Sequence, residues 1–82
     1  MKTDFITFRS ITPAQHAQRV LHQAGIDAIL QRTPRHMEQQ GCGYCLRVRQ
    51  EERLSAVQVL QKASVSFQKV YTLQNGLQEV NW

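Results

Sequence analysis

Short runs of β-branched and aromatic residues alternate with two helical apolar stripes in the order β-α-β-β-α-β, and this order limits the fold more than any other feature. Residues 4–10 (Asp4 to Ser10) are short, aromatic and β-branched, and read as a strand with Ile6 and Phe8 on one face and Phe5, Thr7 and Arg9 on the other. A helix start follows: Thr12 caps, Pro13 takes the first helical position and Gln15 reaches back as in a capping box. Ala14, Ala17, Val20, Leu21 and Ala24 form one stripe, and Gly25 stands where a left-handed C-terminal residue is wanted. Residues 26–33 read as a second strand, with Ala28 and Leu30 on one face and Ile29 and Gln31 on the other; Pro34, which has no N–H for a ladder, ends it.

After a polar loop over residues 35–41, residues 44–49 alternate cleanly, with Tyr44, Leu46 and Val48 opposite Cys45, Arg47 and Arg49. A second helix is expected over residues 51–63, with Leu54, Val57, Leu60 and Ala63 inward and Glu51 and Glu52 at its positive end. Residues 66–74 form a fourth strand, and Asn75-Gly76 is a hairpin signal that folds residues 77–82 back as a short fifth strand. Right-handed crossovers put both helices on one face of an antiparallel sheet. The expected fold is therefore α+β, a ferredoxin-like βαββαβ plait, with strands one and three at its centre and the other face open. One domain spans residues 1–74, and a tail over residues 75–82 packs on it.

An 82-residue chain has room for one small core and no deep enclosed site. No apolar run approaches the roughly 18–20 residues of a membrane span. The start, Met1-Lys2-Thr3-Asp4, leads straight into a strand without a signal-peptide pattern, so a cytoplasmic protein is expected. Ten Lys and Arg against six Asp and Glu give a net charge of +4 and favour anionic partners. The cations are scattered from Lys2 to Lys69, which is not the clustered basic face of a nucleic-acid reader.

Gly41-Cys42-Gly43-Tyr44-Cys45 carries the only specific chemistry. Two cysteines are too few for a secreted disulfide framework. Glycines on both sides of Cys42 let the backbone turn sharply and uncover the sulfur, and the nearby cations Arg35 and Arg47 favour its thiolate. Cys45 lies inside a strand, so it is either a small core residue or a second thiol. A disulfide between them needs a bend at Gly43, because a regular strand holds residues i and i+3 roughly 10 Å apart. A second Cys-x-x-Cys is absent and His16 and His22 do not share a helical face, so no metal site is expected. Nothing calls for a cofactor.

The chain resembles the small bacterial domains of the selenium/sulfur carrier-like family. The matching pieces are Ile6-Thr7-Phe8-Arg9-Ser10 with Thr12, then Thr33-Pro34-Arg35, then Cys42-Gly43 leading into Leu46-Arg47. The family pattern runs from a strand ending in Thr-Phe-Arg-Ser, through a Thr-Pro-Arg turn, to Ser-Cys-Gly and an apolar strand with an Arg. Its cysteine maps onto Cys42; Gly41 replaces the usual Ser, and Cys45 replaces a small apolar residue. The resemblance implies a carrier rather than a turnover enzyme. Cys42 would take a persulfide or selenide from a donor such as a cysteine desulfurase and hand it to an acceptor protein. Arg35 would stabilise the anionic sulfur, Arg9 and Arg47 would engage an acidic partner, and Cys45 could resolve the persulfide to a disulfide.

Two other readings stay open on the residues alone. The Cys-x-x-Cys spacing fits a thiol-disulfide redox or sensor module, although such pairs usually open a helix, where the dipole lowers the thiol pKa. An open sheet with Phe5, Arg9, Arg47 and Arg49 could bind protein or RNA. It carries one clear aromatic where an RNA-recognition sheet carries two or three, which argues against nucleic acid. The same face could pair with itself in a homodimer and bury Phe5.

Overall fold

The computed structural model describes residues 3–33, 43–73 and 77–80. Its elements are β1 (Thr3–Phe8), α1 (Ile11–Gln23), β2 (Ile29–Arg32), β3 (Tyr44–Arg49), a 3-10 turn (Gln50–Glu52), α2 (Arg53–Lys62), β4 (Val70–Leu73) and β5 (Leu77–Glu79). The five strands form one sheet in the order β2-β3-β1-β4-β5, every neighbouring pair antiparallel. Phe5 faces Arg47 on one side and Tyr71 on the other, so β1 is the middle strand.

Strand alternation sends Ile6 and Phe8 of β1, Leu46 and Val48 of β3, and Val70 of β4 to one face. Both helices cover it, with Ala14, Ala17 and Leu21 from α1 and Ala56, Val57 and Leu60 from α2 completing a single core. Asp4 lies on the same face, wholly buried, and Arg53 Nη1 donates to its Oδ2 at 3.2 Å. Asp4 Oδ1 and Arg53 Nε are buried without a partner among the described residues.

The helix ends differ from expectation at the start and agree at the stop. Ser10, in extended backbone, is the N-cap of α1, and its side chain makes no capping bond. Thr12 is already inside the helix and does not cap it; Pro13 sits in the first turn, where a missing N–H costs little. At the other end Gly25 has φ +81°, Gly25 N donates to His22 O at 3.0 Å, and Ile26 N donates to Leu21 O at 2.9 Å. This is a Schellman closure, with buried Ile26 packing in the same core as Leu21. It also takes Ile26 out of the expected second strand, which begins only at Ile29.

The end of α2 repeats the closure with a serine in the glycine's place. Ser64 N donates to Gln61 O at 3.1 Å, Val65 N donates to Leu60 O at 2.9 Å, and Ser64 has φ 58°. Leu54 and Ala63 are not inward: Leu54 is 62% exposed and Ala63 is exposed, while Ala56 fills the core. The bond from Arg53 to Asp4 fixes the first turn of α2 and rotates the following Leu54 to solvent.

β4 is shorter than expected because of a bulge before it. Gln68 N donates to Thr7 O at 2.8 Å, while Lys69 N donates to the Thr7 hydroxyl at 3.0 Å. That hydroxyl in turn donates to Lys69 O at 3.2 Å, which also accepts from Thr7 N at 2.8 Å, so a buried threonine satisfies the Lys69 N–H that the bulge takes off the ladder. The antiparallel return of β5 agrees with the hairpin expected there; Asn75, Gly76 and Trp82 lie outside the described residues.

The second face is less open than expected. Phe5, Thr7 and Cys45 do point to it, but all three are buried, and Phe5 and Cys45 pack with the partly buried Tyr71 in a second small cluster. Arg47, Arg49, Ile29 and Glu79 are exposed on that face.

Candidate functional site

The antiparallel register gathers four strand ends at one edge of the sheet. Phe8 and Arg32 both face Tyr44, which brings together the C-terminal ends of β1 and β2 and the start of β3; Ile6 faces Val70, which adds the start of β4. Thr33 N donates to Gly43 O at 3.0 Å and closes the β2–β3 ladder. The chain leaves at Thr33 and returns at buried Gly43, and the intervening segment carries Arg35 and Cys42. Arg35 and Cys42, with Gly41 and His36, lie outside the described residues.

Of the remaining expected site residues, Arg9 and Gly43 stand at this edge. Arg9 follows β1 directly and is exposed. Together with Pro13, Phe67 and Lys69 it lines a cleft of about 550 Å³. Lys69 Nζ is held 3.5 Å from Glu79 Oε1. Arg47 does not join them. It is exposed on the second face, opposite Phe5 and Ile29, and four residues of strand separate it from Gly43, roughly 13 Å at about 3.3 Å per residue.

A different arginine occupies the edge and was missed by sequence reasoning. Arg32, the last residue of β2, is exposed, and its guanidinium carbon lies 6.0 Å from the centroid of the Tyr44 ring, at the outer limit of a cation–π contact. Its signal was position: a cation at the end of a strand, immediately before Thr33-Pro34.

Cys45 is a free thiol with no exposed surface. It faces Thr7 on β1 and Gln31 on β2. Burial pushes the thiol above its ordinary pKa, outweighing the Gln31 and Thr33 side chains and the Arg47 charge, which pull it down. The Thr33 hydroxyl is buried without a well-formed hydrogen bond, so its contact with the sulfur is weak. Cys45 as folded is a packed, protonated side chain, and a resolving role would first require the β2–β3 edge to open.

A larger cleft of about 700 Å³ lies away from this edge, lined by Gln18, Arg19 and His22 of α1 together with Asp27 and Ile29. His16 and His22 are exposed on α1. Among the described residues no three His, Cys, Asp or Glu side chains come together as a metal site, and no helix is long and apolar enough to cross a membrane.

No curated protein and no solved structure matches the chain. The family model described as "Putative Se/S carrier protein-like" matches residues 4–72, from β1 through β4 and across the segment that holds Cys42. On that match the chain belongs to the Se/S carrier protein-like family.

Proposed function

We propose that this protein carries sulfur or selenium on Cys42 and passes it between protein partners in the bacterial cytoplasm. Family membership over residues 4–72, a span that includes Cys42, is the observation that carries this reading. The donor is a protein persulfide of the kind a cysteine desulfurase forms. The Cys42 thiolate attacks the terminal sulfur; a new S–S bond forms, the donor's S–S bond breaks, and the donor cysteine leaves as thiolate. The transferred sulfur keeps its oxidation level, so no external oxidant or reductant is consumed. Attack by an acceptor thiolate repeats the step and regenerates Cys42.

The surroundings support this chemistry. Arg9 and Arg32 put two exposed guanidinium groups at the sheet edge where the Cys42 segment begins and ends. Positive charge there favours thiolate and anionic persulfide over their protonated forms. Arg35 adds to that field as the anion-binding residue of the Thr-Pro-Arg turn, and Arg47 meets an acidic partner on the second face. The raised pKa of Cys45 keeps it protonated near neutral pH, so it does not compete for the cargo. We read the sheet as a ferredoxin-like plait, with β2-β3-β1-β4 as its four strands and β5 added outside β4.

The reading is tested by incubating the protein with a cysteine desulfurase and cysteine, then weighing it under non-reducing conditions. A gain of one sulfur atom, reversed by dithiothreitol, is expected. An unchanged mass under conditions that load the desulfurase itself would end this reading.

A further inference from the structure

Among the described residues β2 closes one side of the sheet and has β3 as its one strand neighbour. The bond from Thr33 N to Gly43 O fixes the phase of its hydrogen bonding. Bonded pairs alternate along an antiparallel ladder, so Ile29, Gln31 and Thr33 direct their backbone groups at β3, while Ala28, Leu30 and Arg32 direct theirs outward. The Ala28 carbonyl agrees with that phase: it accepts from Gln18 Nε2 of α1 at 3.0 Å, outside the ladder. No group among the described residues bonds the outward N–H and C=O of Leu30 or Arg32.

Ile29–Arg32 contains no proline or lysine, and its one charged residue, Arg32, stands at its end, so the Leu30 backbone groups are left open. Ile29 is 51% exposed beside the open backbone groups. Arg19, Arg32 and Arg47 surround it, all exposed and in no salt bridge among the described residues; Asp27 is the one acid lining the adjoining cleft. A second copy would bring the same cations against themselves, whereas an acidic strand complements them.

We propose that the outer edge of β2 takes an extended acidic segment of a partner protein as an added strand. Leu30 and Arg32 supply the backbone bonds, Ile29 packs against an apolar side chain, and carboxylates on the two faces of the added strand meet Arg47 on one and Arg19 and Arg32 on the other. Strand addition would set the partner in register with β2 and β3, the strands that flank the Cys42 segment. The inference rests on the carrier reading only in naming that partner as donor or acceptor.

The test titrates the full-length ¹⁵N-labelled chain with a blocked seven-residue peptide, Val-Glu-Glu-Val-Glu-Glu-Val, which puts both carboxylates and valines on each face of a strand, against a Lys-Val peptide in which Lys replaces every Glu. The acidic peptide is expected to shift the amides of Ile29–Arg32 and to slow hydrogen exchange at Leu30 and Arg32. A double variant, Arg32→Glu with Arg47→Glu, should weaken binding at least about tenfold while keeping a dispersed spectrum, and added salt should weaken the wild type. Ile29→Lys, which leaves the backbone groups in place but blunts the edge, should also weaken it. Equal binding of the Lys-Val peptide, shifts centred elsewhere, or unprotected Leu30 and Arg32 amides would overturn the proposal. So would protection of those amides in the protein alone with concentration-dependent sedimentation, which would assign the edge to a second copy. Persulfide loading is read separately by mass, so a chain that binds the peptide but takes no sulfur refutes the carrier reading and leaves the docking strand standing.

Discussion

The burial of Cys45 makes a quantitative prediction that separates the two cysteines. The perturbation is Cys42→Ala, which leaves Cys45 as the single thiol, followed by alkylation with iodoacetamide at pH 7.5. A thiol at the ordinary value of 9.0 would be about 3% thiolate at that pH, and burial lowers the Cys45 fraction further. With no exposed surface, Cys45 also reacts only when its cover opens. It sits on β3 between β1 and β2, and the weaker side is the short β2 edge. An opening there that costs about 3 kcal/mol would slow alkylation by roughly 150-fold, since each 1.4 kcal/mol is a factor of ten. Cys45 should therefore react at least about a hundred times more slowly than glutathione, and urea below the unfolding midpoint should accelerate it. A rate within tenfold of glutathione would refute the reasoning, because it would mean that the thiol is neither covered nor held protonated.

The same thiol predicts a pH dependence of stability. Because the folded pKa is raised, the unfolded chain loses this proton first; the contribution is fully present below about pH 9 and is lost as pH rises through the folded value. Urea midpoints of the wild type should fall above pH 9 more steeply than those of Cys45→Ala; parallel slopes would contradict this. Arg53→Met leaves the Asp4 carboxylate buried without its ion pair and should cost about 3–5 kcal/mol, and adding Asp4→Asn should recover part of it. Chemical denaturation of both variants tests this, and a single variant as stable as the wild type would show that the pair is not a structural tie. Ser64→Gly should raise stability by about 0.5–1 kcal/mol by relieving the positive φ, while Gly25→Ala should lower it by about 1 kcal/mol, although its added methyl would touch nothing within 4 Å. Shifts of the opposite sign in thermal melts would show that the helix ends are not closed as described.

Much of the element pattern was legible because it depends on local periodicity. Tyr44–Arg49 alternates over its whole length and emerges as β3 with those same bounds, and the α1 stripe of Ala14, Ala17 and Leu21 is the buried face of that helix. What failed was decided by long-range bonds. Leu54 has the right spacing for a core residue, but the pairing of Arg53 with Asp4, forty-nine positions away in sequence, turns it outward. The bulge clamped by Thr7 shortens β4, and no feature of residues 66–69 taken alone announces it. Outward parity was legible for Phe5 and Cys45, yet parity is not exposure, and their packing with Tyr71 removes the aromatic platform that an RNA-binding sheet would need. At the candidate site, the closeness of Arg35 and Arg47 to Cys42 was a judgement from sequence distance. Along a strand that distance grows by about 3.3 Å per residue, which sets Arg47 apart and leaves Arg9, Arg32 and Lys69 as the described cations at the edge.

The account stands on Cys42 as the atom that bears the cargo. Both cysteines fall between Arg35 and Arg47, so one tryptic peptide can hold them both, and variants assign the site better than digestion. The direct measurement is desulfurase loading of the wild type, Cys42→Ala and Cys45→Ala with ³⁵S-cysteine, followed by non-reducing electrophoresis. Label that persists in Cys45→Ala and disappears in Cys42→Ala is the predicted result. Label that survives in Cys42→Ala, or is lost only in Cys45→Ala, would contradict the assignment.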